Sequence, residues 1–154
     1  MSNDLPAVLS EAITNGTWRD PGPSVMNKVL GANLGLPELQ LFESSELMSN
    51  VHEQIRIGGY VEDPEFCLID QLVSKQNDSD PRLNLENALF IAGSIVPGDD
   101  VFVVLDLGSE ENNPNVLVFD WRKPVPERWI KVMTLVQLIN KLDIKQGNTH
   151  NIIT

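Results

Sequence analysis

The chain has 154 residues, 42% of them hydrophobic, and carries 22 acidic against 11 basic side chains, for a formal net charge of −11. This length predicts one domain that is large enough to bury a core, and the ordinary hydrophobic content excludes a wholly disordered chain. The acidic balance disfavours binding to DNA, RNA or anionic lipid, because these polyanions repel an acidic surface.

The acidic charge is concentrated in the middle of the chain. Residues 32–121 hold 17 acidic and three basic side chains, whereas residues 122–154 hold six basic and two acidic ones. The acidic part could attract a basic protein partner. The other interpretation is a soluble acidic surface that has no specific partner.

The N-terminal segment and the single cysteine bear on localisation. Residues 1–16 have neither a basic start nor a long apolar run, so no secretory signal is expected. No run in the chain approaches the roughly 18 apolar residues of a membrane span. Cys67 lies in an apolar run and has no disulfide partner, which fits a reducing cytoplasm. We therefore expect a cytoplasmic protein without a membrane segment.

Apolar spacing predicts short helices in the first part of the chain. They are expected over Leu5–Ile13, over Val25–Leu30, and from Glu43–Glu46 through about Val51, where either Ser44 or Ser45 is the expected cap. Asn15-Gly16 ends the first helix, since both residues tolerate the left-handed conformation. Ser24 is the expected cap of the second helix. Between the second and third helices, Leu34–Phe42 is a weak strand or an irregular segment broken by Pro37.

The later part of the chain predicts an antiparallel meander that leads into a helix. Runs of β-branched and aromatic residues alternate with short polar turns, a pattern typical of hairpins. Strands are expected over Leu89–Val96, Val101–Leu107, Val116–Trp121 and Arg128–Val132. Thr134–Leu142 places its apolar residues on one helical face.

Helices and strands thus occupy separate parts of the chain, which predicts an α+β fold. We expect a single domain over residues 1–146 with a twisted, mainly antiparallel sheet and helices packed on one face. Residues 147–154 are expected to form a flexible tail.

Few residues in the sequence favour a metal site or a site for nucleophilic catalysis. His52 and His150 are far apart, and two adjacent aspartates in a turn, Asp99-Asp100, are usually solvated. Cys67 and His52 are the only Cys–His pairing available for nucleophilic catalysis, and we interpret them as a buried thiol and a surface histidine. We therefore expect no catalytic residue, no metal and no cofactor.

Asp106 and Asp120 are the best candidates for paired carboxylates acting on a sugar. Each lies near the end of a predicted strand, and glycoside hydrolysis uses two such groups. The competing interpretation is that each carboxylate keeps the outer face of the sheet in contact with water.

The tryptophans offer a different kind of candidate. Trp121 lies between Asp120 and Arg122-Lys123, and an exposed Trp beside charges suits a partner anchor. Tryptophan also serves as a large filler of small cores, which is the alternative for Trp18, Trp121 and Trp129.

Residues 89–142 resemble the SUKH superfamily, which includes bacterial immunity domains and fungal regulators of cell-wall synthesis. The family pattern has a strand, a turn with Gly and Asp, a strand of the type "lfvlDl", a strand of the type "vvvwd", and a last strand leading into a C-terminal helix. The matching parts here are Phe90–Ala92, Gly98–Asp100, Val101–Leu107, Val116–Trp121 and Trp129–Leu142. Upstream, Leu39–Phe42 with Ser45–Leu47 resembles the family segment in which a strand precedes a helix of the type "eel". The early family segment "lP..y..fl...nGg" has only a shortened counterpart at Pro23–Gly31.

The resemblance implies protein binding rather than catalysis. Bacterial members are thought to neutralise cognate toxins, often nucleases, and a basic toxin would suit the acidic charge. A homodimer through a sheet edge is a further expectation. The alternatives are a housekeeping regulatory scaffold and, with less support, an enzyme with a carboxylate cleft. The expected partner-binding residues are Asp99, Asp100, Glu110, Glu111, Asp120 and Trp121.

Overall fold

Five strands form one antiparallel sheet in the order in which they occur along the chain. The computed structural model describes residues 5–57, 87–95, 101–109, 112–120, 123 and 129–143. Its strands are β1 (Leu39–Leu41), β2 (Ala88–Ser94), β3 (Val101–Asp106), β4 (Asn115–Asp120) and β5 (Trp129–Thr134). Within the described ranges β1 and β5 are the edge strands and β3 is central, so the sheet is open.

Four α-helices accompany the sheet in the part of the chain that the structure describes. They are α1 (Ala7–Thr14), α2 (Pro23–Leu30), α3 (Ser45–Ile57) and α4 (Leu135–Asp143), with a short 3-10 helix at Ala32–Leu34. Among these residues, no helix has both the length and the apolar character that crossing a bilayer requires.

The central strands are buried on both faces. Almost every residue of β2, β3 and β4 is buried, including consecutive residues that must point to opposite sides. Fully inaccessible members include Phe90, Ile91, Val103, Val104, Leu105, Val116, Val118 and Phe119. The continuous apolar runs in the sequence therefore reflect a sheet that forms the middle layer of the core.

Three helices share one face of the sheet. In β1, Leu39 and Leu41 are buried while Gln40 between them is exposed, so only the leucine face is covered there. Because α2 packs against β1, it lies on that face. Both α1 and α2 contact α4, and α4 contacts β4 and β5, so the three helices form one layer.

Helix α3 lies against the opposite face. Phe90 and Ala92 of β2 pair with two consecutive residues of β3, because a β-bulge separates them. Consecutive strand residues point to opposite faces, and Ala92 shares the face of its partner Leu41. Phe90 therefore points away from the three-helix layer. It contacts the His52 ring of α3 edge-on, with the two centroids 6.1 Å apart.

The predicted α+β class with an antiparallel sheet in a single domain is confirmed. The expected layer of helices on one face accounts for α1, α2 and α4. Helix α3 was also predicted, but it lies on the other face of the sheet, which the sequence pattern did not predict. The expected tail, residues 147–154, lies outside the described residues.

Helix α2 begins differently from its prediction. Its N-cap is Gly22, with φ of 102°, and no side chain caps the helix, so the expectation that Ser24 caps it is wrong. The physical reason is Pro23 at the first helical position, where the fixed φ suits the helix and the missing N–H costs no hydrogen bond. For α3 the cap is Ser44, whose Oγ accepts a hydrogen bond from Leu47 N at 3.1 Å, as predicted.

Candidate partner-binding loops

The expected partner-binding residues are connected in sequence to two opposite ends of β3 and β4. Val101 at the start of β3 pairs with Asp120 at the end of β4, and we call this the Asp120 end. At the other end of the same two strands Asp106 pairs with Asn115, and we call this the Asp106 end. The five residue steps from Val101 to Asp106 separate the two ends by roughly 17 Å.

The six expected residues therefore divide into two groups. Asp99-Asp100 directly precedes Val101 in sequence, and Trp121 directly follows Asp120, so the chain connects these residues to the Asp120 end. Glu110-Glu111 lies between β3 and β4, in the connection at the Asp106 end. Apart from Asp120, all of these residues lie outside the described ranges.

Asp120 is fully buried, with an exposed fraction of 0%. Its backbone oxygen accepts a hydrogen bond from Lys123 N at 3.1 Å, which turns the chain after β4. A side chain that is inaccessible to water in the isolated chain does not contribute to an exposed acidic surface. The interpretation that Asp120 keeps the outer face of the sheet in contact with water is wrong, because β4 is buried on both faces.

Asp106 forms hydrogen bonds that stabilise the turn after β3. Its Oδ1 accepts a hydrogen bond from Gly108 N at 3.1 Å, and its backbone oxygen accepts one from Ser109 Oγ at 2.6 Å. Ser109 Oγ in turn accepts a hydrogen bond from Asn115 N at 2.9 Å. These contacts close the base of the β3–β4 connection, and they explain the aspartate at this position as an Asx turn.

The proposed pairing of Asp106 with Asp120 in a carboxylate cleft is wrong. The two residues belong to opposite ends of the sheet, and the alternation along β3 and β4 puts their side chains on opposite faces. Their separation of roughly 17 Å exceeds the approximately 5–9.5 Å that glycoside hydrolysis requires between its two carboxyl groups.

The β3–β4 connection is also tied to the start of α4. Pro114 O accepts a hydrogen bond from Leu135 N at 2.9 Å, and Asn113 Oδ1 accepts one from Val136 N at 2.8 Å. Gln137 N donates to Thr134 Oγ1 at 3.4 Å. All three N–H groups of the first turn of α4 are therefore used internally, so this helix N-terminus is not an anion site.

Thr134 and Gln137 form a capping box that the sequence analysis missed. Thr134 N donates to Gln137 Oε1 at 2.9 Å, which completes the reciprocal pair with the Gln137 N–Thr134 Oγ1 bond. The signal was present as Thr-x-x-Gln immediately before an apolar periodic run. With Asn113 and Pro114 it fixes the Asp106 end of the sheet onto α4.

His52 departs from its prediction as a surface residue. It is 9% exposed and packs against Phe90, whose ring contacts Phe102 edge-on at a centroid distance of 5.6 Å. The contact with Phe90 shows that His52 lies on the side of α3 that faces the sheet, which explains the burial. Cys67, its hypothetical catalytic partner, lies outside the described residues. Within those residues no group of three or more potential metal ligands converges.

Exposed carboxylates in the described part of the acidic region lie around β1 and on α3. Glu38 and Glu43 flank β1, while Glu46 and Glu53 belong to the exposed side of α3. Leu47 beside them is 37% exposed. The sequence pattern favoured the hairpin loops as the acidic contact and did not distinguish these four glutamates. The excess of acidic residues over 32–121 is the sequence signal that could have added these glutamates to the candidate contact.

Comparison with known proteins gives no relative for this chain: no protein-family model, no curated protein sequence and no solved structure matches it significantly.

Proposed function

We propose that this chain is a non-enzymatic, immunity-type binding domain that neutralises a basic, nuclease-like toxin in the cytoplasm. The observation that carries the proposal is the sequence of elements from β2 to α4. Four antiparallel strands follow one another without a crossover, and the last strand, β5, leads directly into α4. The SUKH resemblance implies this order for the same residues.

The charge distribution supports the choice of partner. A nuclease site that binds phosphates is basic, and an acidic surface would attract it at long range and speed the encounter. Residues 32–121 carry most of the acidic charge, and the described part of this region exposes Glu38, Glu43, Glu46 and Glu53. We place the contact on the acidic loops and on this exposed surface.

A housekeeping regulatory scaffold, similar to the fungal regulators of cell-wall synthesis, is the alternative function. A toxin gene beside the gene for this chain favours the immunity function, whereas an isolated gene favours the regulatory one. A homodimer through an edge strand would be compatible with either function. Multi-angle light scattering of the purified chain measures this oligomeric state directly.

Co-expression with a toxin encoded next to this chain tests the immunity function. We expect survival of cells that make both proteins, and a purified complex whose association slows as salt is raised, because steering by charge is screened. Failure to protect, together with no detectable complex, would contradict the proposal. Capture of cell-envelope or signalling proteins in a pull-down would favour the regulatory scaffold.

The two ends of the sheet allow the contact to be located. One variant neutralises Asp99 and Asp100 as Asp99→Asn/Asp100→Asn, and the other is Glu110→Gln/Glu111→Gln at the Asp106 end. The matched control, Glu11→Gln/Asp143→Asn, changes two exposed carboxylates on α1 and α4. Each pair changes the net charge equally, from −11 to −9.

A loss of affinity in one loop variant only would assign the contact to that end. Equal, small losses in all three variants would indicate attraction by net charge without a localised acidic contact, and would contradict an interface built on these loops.

A further inference from the structure

We propose that Asn15-Gly16 is a site of spontaneous deamidation in the folded protein, which forms aspartate and isoaspartate at the end of α1. Asn15 is the C-cap of α1 and both residues are exposed. Asn15-Gly16 is also the only Asn-Gly pair in the chain. Reaction at an Asn requires the following backbone nitrogen to reach the side-chain carbon, and glycine puts no side chain in the way.

The surroundings of Gly16 leave this approach open. Its φ is 85°, and a Cβ built on it would meet no atom within 4 Å. Attack requires rotation about ψ of Asn15, which is 2° in the folded chain. The hydrogen bond that opposes this rotation directly, from Gly16 N to Ile13 O, is long at 3.3 Å and lies at a helix end, where backbone hydrogen bonds fray.

The Asn15 side chain is also held close to the backbone that must react with it. Thr17 N donates a hydrogen bond to Asn15 Oδ1 at 3.0 Å. This donor polarises the amide carbonyl and can stabilise the negative charge that develops on Oδ1 during attack. The same bond folds the side chain over the following peptide, which raises the local concentration of the reacting groups.

The reaction balances with water as the only co-reactant. Gly16 N loses its proton and bonds to Asn15 Cγ, and the Cγ–Nδ2 bond breaks to release ammonia. Water then opens the resulting succinimide at either carbonyl, which gives aspartate or isoaspartate. Both products place a negative charge at the C-terminus of α1, where the helix dipole disfavours it.

Isoaspartate also lengthens the backbone by one carbon between α1 and Trp18. Trp18 N donates to Ala12 O at 3.0 Å, and Trp18 Nε1 donates to Phe42 O at 2.8 Å. Because this buried Trp connects the end of α1 to the end of β1, the longer backbone should disturb both bonds and lower the stability of the domain.

Peptide mapping by mass spectrometry tests the site on the wild-type, folded chain. The protein is incubated at physiological temperature and mildly alkaline pH, with enzymatic detection of isoaspartate. We expect conversion at Asn15 severalfold faster than at Asn33 and Asn50, two exposed asparagines followed by Leu34 and Val51. Asn15→Gln should abolish the product at this position. Conversion at Asn15 no faster than at these internal controls would overturn the proposal.

The effect on stability has its own measurement. The deamidated protein, separated by ion exchange from unreacted protein, contains aspartate and isoaspartate at residue 15. Its isoaspartate component should have a lower Tm than the unreacted protein and than the variant Asn15→Asp, which carries the charge without the longer backbone. An unchanged Tm for the isoaspartate form would contradict the role given to Trp18.

Discussion

At the scale of single residues, packing on both sides of the sheet sets the strongest constraints. Leu105 lies in the central strand with an exposed fraction of 0%, whereas Ile95, just after β2, is 44% exposed. Gly93 of β2 is also in a tightly packed position, because the ring of Phe42 lies directly over it. A Cβ added there would lie 3.2 Å from Phe42 Cζ.

Leu105→Asp should unfold the domain. A carboxylate at this position has no water and no described partner, and burying such a group costs roughly 3 kcal/mol or more. Circular dichroism and chemical denaturation measure the loss. Ile95→Asp is the matched control and should keep the fold, since its carboxylate remains in water. A folded Leu105→Asp protein with near wild-type stability would show that β3 is not in the core.

Gly93→Ala should destabilise the domain by about 1–3 kcal/mol, the usual cost of overpacking a well-filled core. The added methyl group meets the Phe42 ring, so Phe42→Leu should recover part of the loss in the double variant. The free energies of unfolding of the four proteins in this cycle measure the coupling. Strictly additive effects would exclude the contact as the cause.

At the scale of elements, sequence patterns predicted the strands well, but they missed the length of α3 and the cap of α2. The runs around Val101 and Val116 are rich in β-branched residues, and the strands form there within one or two residues of the predicted bounds. Helix α3 extends to Ile57, beyond the predicted end near Val51, because no breaker lies between them. The cap of α2 was missed because a proline start replaces the usual side-chain hydrogen bond.

The position of α3 and the division of the candidate loops could not be predicted from the sequence. Both depend on the register of β3 against β4 and on the bulge in β2, which are tertiary features. Asp106 and Asp120 look equivalent in sequence, since each ends a strand. Only the antiparallel register shows that they are at opposite ends, and only packing shows that Asp120 is buried.

Removal of the capping box should destabilise α4. Thr134→Ala is expected to cost about 0.5–2 kcal/mol of stability, because Gln137 N loses its acceptor. Gln137→Ala should cost less, and the double variant should be less destabilised than the sum, since the two side chains act as a reciprocal pair. Thermal unfolding of the three variants and the wild type gives the coupling energy. A coupling of zero would contradict the capping box.

At the scale of the whole molecule, the three-helix layer, the sheet and α3 form a single core that includes residues from Leu9 to Leu142. The C-terminal helix α4 is central to it, because it contacts α1, α2, β4 and β5. The described fold therefore depends on α4, whereas residues 147–154 are expected to form a tail without a structural role.

Deletion of residues 147–154 should change the Tm little, because the last few residues of a domain are often poorly ordered. Truncation after residue 134 is the matched comparison, since it removes α4 with the buried Leu135, Leu138 and Leu142, and this protein should not fold. Differential scanning fluorimetry separates the two outcomes. A large drop in Tm for the shorter deletion would show that the tail packs on the domain.

The central position of β3 has a consequence for how this protein opens. Its backbone amides lie between β2 and β4 and under buried side chains on both faces. Exchange of their protons with deuterium should therefore require opening of the entire domain, whereas the edge strands exchange through local fluctuations. The slowest amides of β3 would then report the global free energy of unfolding under native conditions, without denaturant.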